Sequence, residues 1–274
     1  MSKVKDKSIE LEILISTMHR TSLDFLTAMF LNHNYLDFNV LIVNQTSEDK
    51  LLTSKHSTIR VINSFEKGLS KSRNIAIKNA IQPICLIADD DIVFIEGFDK
   101  EILKAHHTHD YPIITFQTLT TNNKSYWKYP SNPKFLDEYM IRKTLSIEIS
   151  IKKDNLKSVI FDEHFGLGAT FEDGENYVFL SEAKKKRIPL WFVNKSISIH
   201  KSISSSDEVQ SNRYMYARGA LNTYKYGNIA YFWVLKFVLF LLRKKYISLS
   251  EIMSKIKIGF KGIENFKVLK NERN

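Results

Sequence analysis

The pattern of apolar and polar positions divides the first part of the chain into alternating short strands and helices. Four apolar runs predict buried strands, at 11–17, 38–43, 58–62 and 84–88. Apolar residues at helical spacing follow the first run, at 22–32, and a serine-capped helix ending at Ala80 precedes the fourth. Strands that alternate with helices through short connections predict an α/β domain, with a mostly parallel sheet and helices on both faces.

Three consecutive aspartates, Asp89, Asp90 and Asp91, follow the fourth strand in the stretch ICLIADDDIVF. Adjacent carboxylates repel one another unless a cation neutralises them, and clusters of oxygen ligands suit Mg²⁺ or Mn²⁺. Ligands of such sheets bind beyond the carboxyl ends of the strands, where Arg20 and Asn44 also fall. The triplet is therefore either a divalent-cation site or an acidic turn exposed to water.

A basic segment precedes this strand. In KGLSKSRNIAIKN, Gly68 permits a tight turn, and Lys71 and Arg73 lie in the opening turns of the predicted helix. A helix N-terminus with added cations binds anions such as a diphosphate. Arg73 alone could equally be a solvated surface residue. The acidic triplet about 16 residues later favours the diphosphate interpretation.

Three of the nine glycines, Gly166, Gly168 and Gly174, lie close together and predict a flexible loop. The same loop carries Asp173 and leads to Glu175, which begins an amphipathic helix. The helix dipole favours a carboxylate in the first turn. Dipole complementarity alone would therefore explain Glu175, and a chemical role needs a further argument.

Composition limits the class of protein. A chain of 274 residues with 43% hydrophobic and 12% aromatic content is typical of a globular protein with a large core. The single cysteine, Cys85, excludes an internal disulfide and fits a reducing compartment. The N-terminal segment lacks the apolar core of a signal peptide, which argues against secretion. We therefore expect a cytoplasmic protein.

The net charge of +10 is concentrated at the C-terminal end. From Asp207 onward there are 13 Lys and Arg against 5 Asp and Glu, a balance of +8, whereas residues 1–206 carry 27 against 25, only +2. A protein that binds nucleic acid would more often carry its basic residues around the folded site. A membrane surface is therefore the expected partner, and nucleic acid is not.

The C-terminal segment has its own hydrophobic pattern. A tyrosine- and arginine-rich helix is predicted at 209–226, followed by 14 residues, IAYFWVLKFVLFLL, with one charge. About 20 residues are needed to span a bilayer. A basic cluster, Arg243 to Lys245, closes the run, so we expect a helix in the interface of an anionic leaflet. The alternatives are a buried helix or a homodimer contact. Residues 247–274 predict a further short basic helix and a frayed end.

In order along the chain, these motifs resemble those of the bacterial family 2 glycosyltransferases, which have the GT-A fold. The resemblance rests on Thr17 with Arg20, then on IVNQTSED, GLSKSRNIAIKNA, LIADDDIVF, FDEHFGLGATFEDGENYVFL and ISIH. It implies a GT-A domain over 1–206 and a helical extension over 207–274. It also implies metal-dependent, inverting transfer of a hexose (Gal, Glc or N-acetylhexosamine) from a UDP-sugar. The implied acceptor is a lipid-linked saccharide of bacterial polysaccharide biosynthesis, at the cytoplasmic face of the inner membrane.

The resemblance also implies roles for individual residues. Asp89 and Asp91 match the outer positions of a D-x-D motif that binds Mn²⁺ or Mg²⁺. His200 either completes this metal site or is a structural histidine. The implied nucleotide-sugar-binding residues are Thr17, Arg20, Asn44, Gln45, Gly68, Arg73, Asp89 and Asp90. Asn44 and Gln45 stand where family members usually carry aspartates.

A carboxylate of the G-E-D or G-E-N stretch deprotonates the acceptor hydroxyl in such enzymes. Here Asn176 occupies the last position and cannot act as a base. Glu175 is therefore the expected catalytic base, with Asp173 as the second candidate. Two other classes stay open: a nucleotidyltransferase or other sugar-nucleotide enzyme on a related fold, and a non-catalytic homologue that binds sugar nucleotides.

Overall fold

The computed structural model describes residues 10–201 and 209–272. Its strands are β1 (Leu11–Met18), β2 (Asn39–Gln45), β3 (Ile59–Ser64), β4 (Ile84–Asp89), β5 (Val93–Phe94), β6 (Ile113–Thr120), β7 (Lys134–Phe135), β8 (Ile149–Lys152) and β9 (Leu190–His200). Its helices are α1 (Phe25–Met29), α2 (Leu69–Asn79), α3 (Phe98–His109), α4 (Glu138–Lys143), α5 (Glu175–Lys185), α6 (Asn212–Tyr226), α7 (Ala230–Arg243) and α8 (Ile252–Glu272).

The sheet begins with four strands that are parallel, as the alternating pattern predicts, and the structure gives their order as β3-β2-β1-β4. It continues through β8, β6, β9 and β5, with β9 parallel to β6 and the other pairings antiparallel. The register sets Thr17 of β1 opposite Asn44 of β2, and Ser16 opposite Asp89 of β4. Three neighbouring strands therefore end together, and their terminal polar residues lie at one edge of the sheet.

Helices cover both faces of this sheet because apolar residues alternate along its strands. In β1, Leu14 packs in a core with Ala76 of α2, whereas Ile13 and Ile15 pack on the opposite face with Phe98 of α3. The buried strands and the two helix layers confirm the predicted α/β fold class.

The C-terminal helices pack against the α/β domain. Phe266 of α8 lies in the same core as Phe165 and Phe171, with ring centroids 5.8 and 6.0 Å away. The predicted short helix after residue 247 is wrong, because α8 has 21 residues. Its buried residues Gly259, Gly262, Ile263 and Phe266 recur at helical spacing, so tertiary packing stabilises the whole length. The predicted domain boundary between 206 and 207 lies outside the described residues.

Two glycines allow α6 and α8 to approach closely. A Cβ atom built on Gly262 would lie under 3.0 Å from the carbonyl oxygen of Tyr216, and one on Gly219 under 3.0 Å from that of Gly259. Both obstacles are backbone atoms, which cannot move away as a flexible side chain can. The two helices therefore touch where only glycine fits.

We expect Gly262→Ala to lower the free energy of unfolding by about 1–3 kcal/mol, because the added methyl group overpacks the α6–α8 contact. The measurement is denaturant unfolding monitored by circular dichroism. Lys261→Ala is the matched control, since Lys261 is the exposed neighbour on the same helix. Equal unfolding midpoints for the two variants would show that the helices can separate without cost.

Candidate active site

A cavity of about 810 Å³ lies where the parallel strands end. It is bounded by the ends of β1 and β4, by the glycine-rich loop before α5, and by residues of α4, α6 and α7. The sequence-predicted residues that line it are Thr17, Gln45, Arg73, Asp89, Asp90, Asp91, Asp173, Glu175 and His200. Residues from distant parts of the sequence therefore meet in one cavity.

Arg73 connects the two acidic segments of this cavity. Its side chain is 2% exposed, and its Nη2 atom donates to both oxygens of Asp89 (3.0 and 3.2 Å) and to Ser146 Oγ (2.7 Å). Its Nη1 atom donates to Glu175 Oε1 (3.0 Å) and Asn176 Oδ1 (3.3 Å). Burial opposes the charge, but Asp89 and Glu175 raise the pKa of Arg73 above its ordinary value. The guanidinium group thus stays charged between β4 and α5.

This burial excludes the solvated alternative for Arg73. It also changes the expected diphosphate role, because both terminal nitrogens already bind protein oxygens. A direct contact with a phosphate would require one of these partners to move. In the arrangement described, Arg73 positions Asp89 and Glu175.

Asp90 has a different pair of partners. Its Oδ2 atom accepts hydrogen bonds from Thr17 Oγ1 (2.5 Å) and Arg20 Nε (2.8 Å). Asn44 supports this contact from outside the cavity. It is fully buried, accepts from the backbone N–H of Arg20 (3.1 Å) and donates to its carbonyl (2.9 Å). The structure therefore places Asn44 behind the cavity, where it shapes the turn that carries Arg20.

Gln45 and Gly68 form a second structural contact. The backbone N–H of Gly68 donates to Gln45 Oε1 (2.7 Å), and Gly68 has φ +130°, a conformation that favours glycine. This contact fixes the start of α2. Gln45 lines the cavity, whereas Gly68, like Arg20 and Asn44, is not among its lining residues.

The three predicted metal ligands do not form one cluster. Asp91 Oδ2 lies 3.3 Å from His200 Nε2, and this hydrogen bond raises the pKa of His200 and lowers that of Asp91. Asp89 is bound by Arg73 and Ser146 instead. Among residues 10–201 and 209–272, no group of three or more His, Cys, Asp or Glu side chains is placed to hold a metal ion. The carboxylate of Asp91 and the imidazole of His200 are suitable ligands for Mn²⁺. Asp89 does not fit as a third metal ligand while its carboxylate is bound to Arg73.

Helix α6, the tyrosine- and arginine-rich helix predicted from the sequence, contributes two cations to the cavity that were not among the predicted site residues. Arg218 Nε lies 2.5 Å from Asp173 Oδ2, and Lys225 forms an ion pair with Glu138 of α4. Both cations line the cavity. They lie seven residues apart and therefore share one helix face, and this spacing could have predicted from the sequence that both cations line the same site. Ser146, which contacts Arg73 and Asp89, had no signal in the sequence.

Residues 14–168 match the family model described as Glycosyl transferase family 2. The chain belongs to glycosyl transferase family 2. The family indicated by the sequence motifs is thereby confirmed, and this family 2 protein is a glycosyltransferase. No curated protein gives a significant match to it.

Solved structures show the same fold as this family 2 glycosyltransferase. TarS from S. aureus, residues 1–349, superposes with a TM-score of 0.52 and 14% identity, over 96% of this chain and 91% of that one. The same protein in complex with UDP-GlcNAc gives a TM-score of 0.54 and 12% identity, over 93% and 81% of the two chains. These likenesses confirm the predicted GT-A fold and extend beyond the part that matches the family model.

We expect Arg73→Met to lower the free energy of unfolding by about 3–5 kcal/mol, because it leaves two carboxylates in a partly buried site without their cation. The measurement is denaturant unfolding at neutral pH. Lys71→Met is the matched control from the same helix, because the Lys71 side chain is 35% exposed and its ion-pair partner among the described residues is the surface residue Glu66. It should unfold like the wild type. An Arg73→Met variant as stable as this control would mean that the acids do not depend on Arg73.

Proposed function

We propose that this glycosyltransferase moves a hexose, namely Gal, Glc or N-acetylhexosamine, from a UDP-sugar to a hydroxyl group of a saccharide acceptor, with inversion. The observation that supports this best is that acidic side chains from two distant segments of the chain line one cavity. Asp90 and Asp91 lie beyond β4, and Glu175 lies at the start of α5. Two of the similar TarS crystal structures are complexes with UDP and with UDP-GlcNAc, which supports a UDP-sugar donor.

The geometry favours Glu175 over Asp173 as the catalytic base. Arg73 holds Oε1 of Glu175, whereas the Oε2 atom has no hydrogen bond within the described residues. One oxygen is thus oriented by the protein while the other can accept a proton. Asp173 is held in a 2.5 Å ion pair with Arg218 and is the second candidate.

The proposed chemistry is a single displacement. The acceptor hydroxyl transfers its proton to Glu175 as its oxygen attacks the anomeric carbon. The bond from that carbon to the UDP oxygen breaks, and UDP departs with the electron pair. A divalent cation, Mn²⁺ or Mg²⁺, held by Asp91 and His200 would stabilise the charge on the departing diphosphate.

We expect Glu175→Gln to lower sugar transfer by about 10²- to 10⁴-fold, because the amide cannot accept the proton. The measurement is transfer of radiolabelled sugar from UDP-Glc, UDP-Gal or UDP-GlcNAc to a bacterial membrane-lipid extract with Mn²⁺ present. EDTA should abolish wild-type transfer, and added Mn²⁺ should restore it.

Asp173→Asn is the matched control and should retain more activity than Glu175→Gln. UDP binding, measured by calorimetry, should survive in both variants. If Glu175→Gln transfers sugar at the wild-type rate, Glu175 is not the base. If wild-type protein binds UDP-sugars but transfers nothing to any acceptor, the non-catalytic alternative replaces the enzyme.

The surface of α7 supports a membrane-bound acceptor. Four large apolar side chains of α7 are exposed, and this apolar stripe consists of Phe232, Leu235, Leu239 and Phe240. The first three recur at spacings of three and four residues and therefore share one helix face, and Phe240 widens it. Phe232 is 73% exposed. The opposite face packs in a core with α6 and α8. Because the inward face is already covered, burial of α7 in its own protein does not explain the stripe.

Charge and length support a peripheral attachment. Lys236 lies within the stripe, and Arg243, Lys244 and Lys245 follow it, which suits an anionic leaflet. Within the described residues, one helical stretch, Asn212–Arg243, is long and apolar enough to cross a membrane. Of its most apolar 18 residues, 22% are buried in the protein. Gly227, with φ +59°, interrupts that stretch, and α7 alone has 14 residues. About 20 residues would be required to span a bilayer.

The position of the stripe connects it with the chemistry. Tyr226 and Trp233 line the cavity; Trp233 directly follows Phe232 of the stripe, and Tyr226 lies six residues before it. An acceptor sugar on a lipid carrier could therefore enter the cavity while its lipid stays in the leaflet. The proposed location is the cytoplasmic face of the inner membrane, in the assembly of a bacterial surface polysaccharide.

We expect the double substitution Phe232→Ser and Leu239→Ser to abolish sedimentation with vesicles of phosphatidylcholine and phosphatidylglycerol, because it removes the apolar contact. Pure phosphatidylcholine vesicles should bind the wild type less well. Leu31→Ser is the matched control, since Leu31 is 70% exposed and lies far from α7 in the chain. A wild-type dimer that the double variant dissociates would assign the stripe to a second copy of this chain.

A further inference from the structure

One buried acid ties the loop between β6 and β7 to the cavity. Glu148 is 0% exposed. It accepts the indole N–H of Trp127 at 3.3 and 3.4 Å and the hydroxyl of Tyr129. The backbone N–H of Leu145 donates to its Oε2 atom at 3.0 Å. Two aromatic side chains of one loop therefore share one carboxyl group as a hydrogen-bond partner.

This arrangement is unfavourable for Glu148 itself. Burial raises the pKa of Glu148 to about 8, although the hydrogen bonds from Tyr129, Leu145 and Trp127 act in the opposite direction. No ion pair of Glu148 is found in the part of the chain that the structure describes. A buried acid without a cation contributes little net stability, so its hydrogen bonds serve mainly to set geometry.

The loop held in this way reaches the catalytic cavity. Trp127 lines the cavity, and its N–H edge is directed to Glu148. Its ring packs against Tyr129, with centroids 4.0 Å apart, and the part of the ring that lines the cavity is apolar surface available to a ligand. Glu148 ends the short 3₁₀ turn that begins at Ser146, and Ser146 contacts Asp89 at 3.3 Å. On the other side, the ring of Tyr126 lies 5.8 Å from that of His200.

We propose that Trp127 is the platform on which the hexose of the donor packs, and that Glu148 is the residue that positions this platform. The inference rests on the proposed UDP-sugar function and adds a sugar subsite to it. The hexose is covalently attached to the diphosphate, so it lies within a few ångströms of the acids at the strand ends. Ligand cavities combine aromatic walls with a few fixed polar groups, and the apolar face of a sugar suits such a wall.

The test compares UDP with the UDP-sugar that binds wild type most tightly among UDP-Glc, UDP-Gal and UDP-GlcNAc, by calorimetry with Mn²⁺. We expect Trp127→Ala to weaken UDP-sugar binding about tenfold, as loss of one aromatic contact predicts. UDP binding should stay within about twofold, because UDP lacks the sugar. Trp127→Phe should keep most of the UDP-sugar affinity. The matched control is Trp191→Phe, since Trp191 packs 4.8 Å from Phe135 and outside the cavity lining.

The positioning role of Glu148 is tested by a double-mutant cycle. Glu148→Leu should weaken UDP-sugar binding relative to UDP as Trp127→Ala does, and the double variant should show no further loss. Glu148→Gln, which keeps an acceptor oxygen, should restore the wild-type ratio. A purely structural Glu148 would weaken UDP and UDP-sugar equally. If Glu148→Leu does not fold, the Trp127 variants still test the sugar platform, and Glu148→Gln still tests the positioning role of Glu148.

Two results would overturn the inference. Equal weakening of UDP and UDP-sugar by Trp127→Ala would mean that Trp127 supports the nucleotide site in general. No change in either affinity would exclude a donor-sugar contact, and a raised acceptor KM in that case would move Trp127 to the acceptor side. If wild-type protein binds neither UDP nor any UDP-sugar, the proposed function itself fails, so the two failures are distinguishable.

Discussion

The cavity depends on one buried positive charge. Arg73 joins Asp89, 16 residues away in the sequence, to Glu175, 102 residues away, and is 2% exposed. Two acids that approach each other in a poorly solvated site would repel and lose hydration. The guanidinium group removes the repulsion, and its fork of donors fixes the oxygens of both acids. The distance between the strand edge and the start of α5 is therefore set by this one side chain.

The C-terminal helices complete the same site from the other side. Arg218 of α6 holds Asp173, and α6 is itself held against α8 where Gly219 and Gly262 leave room for the backbone. Helix α7, which carries the apolar stripe, packs in a core with both. The unit formed by α6, α7 and α8 thus connects the loop that carries Asp173 with the surface proposed to contact the membrane. A segment that looks like an extension in the sequence is a wall of the cavity in the structure.

Local patterns predicted the elements, and long-range contacts decided what the residues do. The parallel strands, the helices on both faces and the position of Asp89 to Asp91 follow from runs of apolar residues and their boundaries. The burial of Arg73 could not be predicted, because its partners lie far apart in sequence. Asn44 was assigned to the nucleotide for the same reason, although its amide binds the backbone of Arg20. The length of α8 depends on packing with α6, which periodicity alone does not reveal.

The aspartate triplet illustrates how tertiary contacts resolve a problem visible in the sequence. Three adjacent carboxylates should repel, and a single metal ion was the simplest remedy. The structure instead divides them: Asp89 binds Arg73, Asp90 binds Arg20, and Asp91 lies beside His200. Two of these partners are arginines, which stay charged at any physiological pH. Among the contacts that these three aspartates make within the described residues, only that of Asp91, whose side chain is 56% exposed, is with a group that titrates near neutral pH. An incoming cation would therefore meet Asp91 first, and would have to displace the proton of His200 to use its nitrogen.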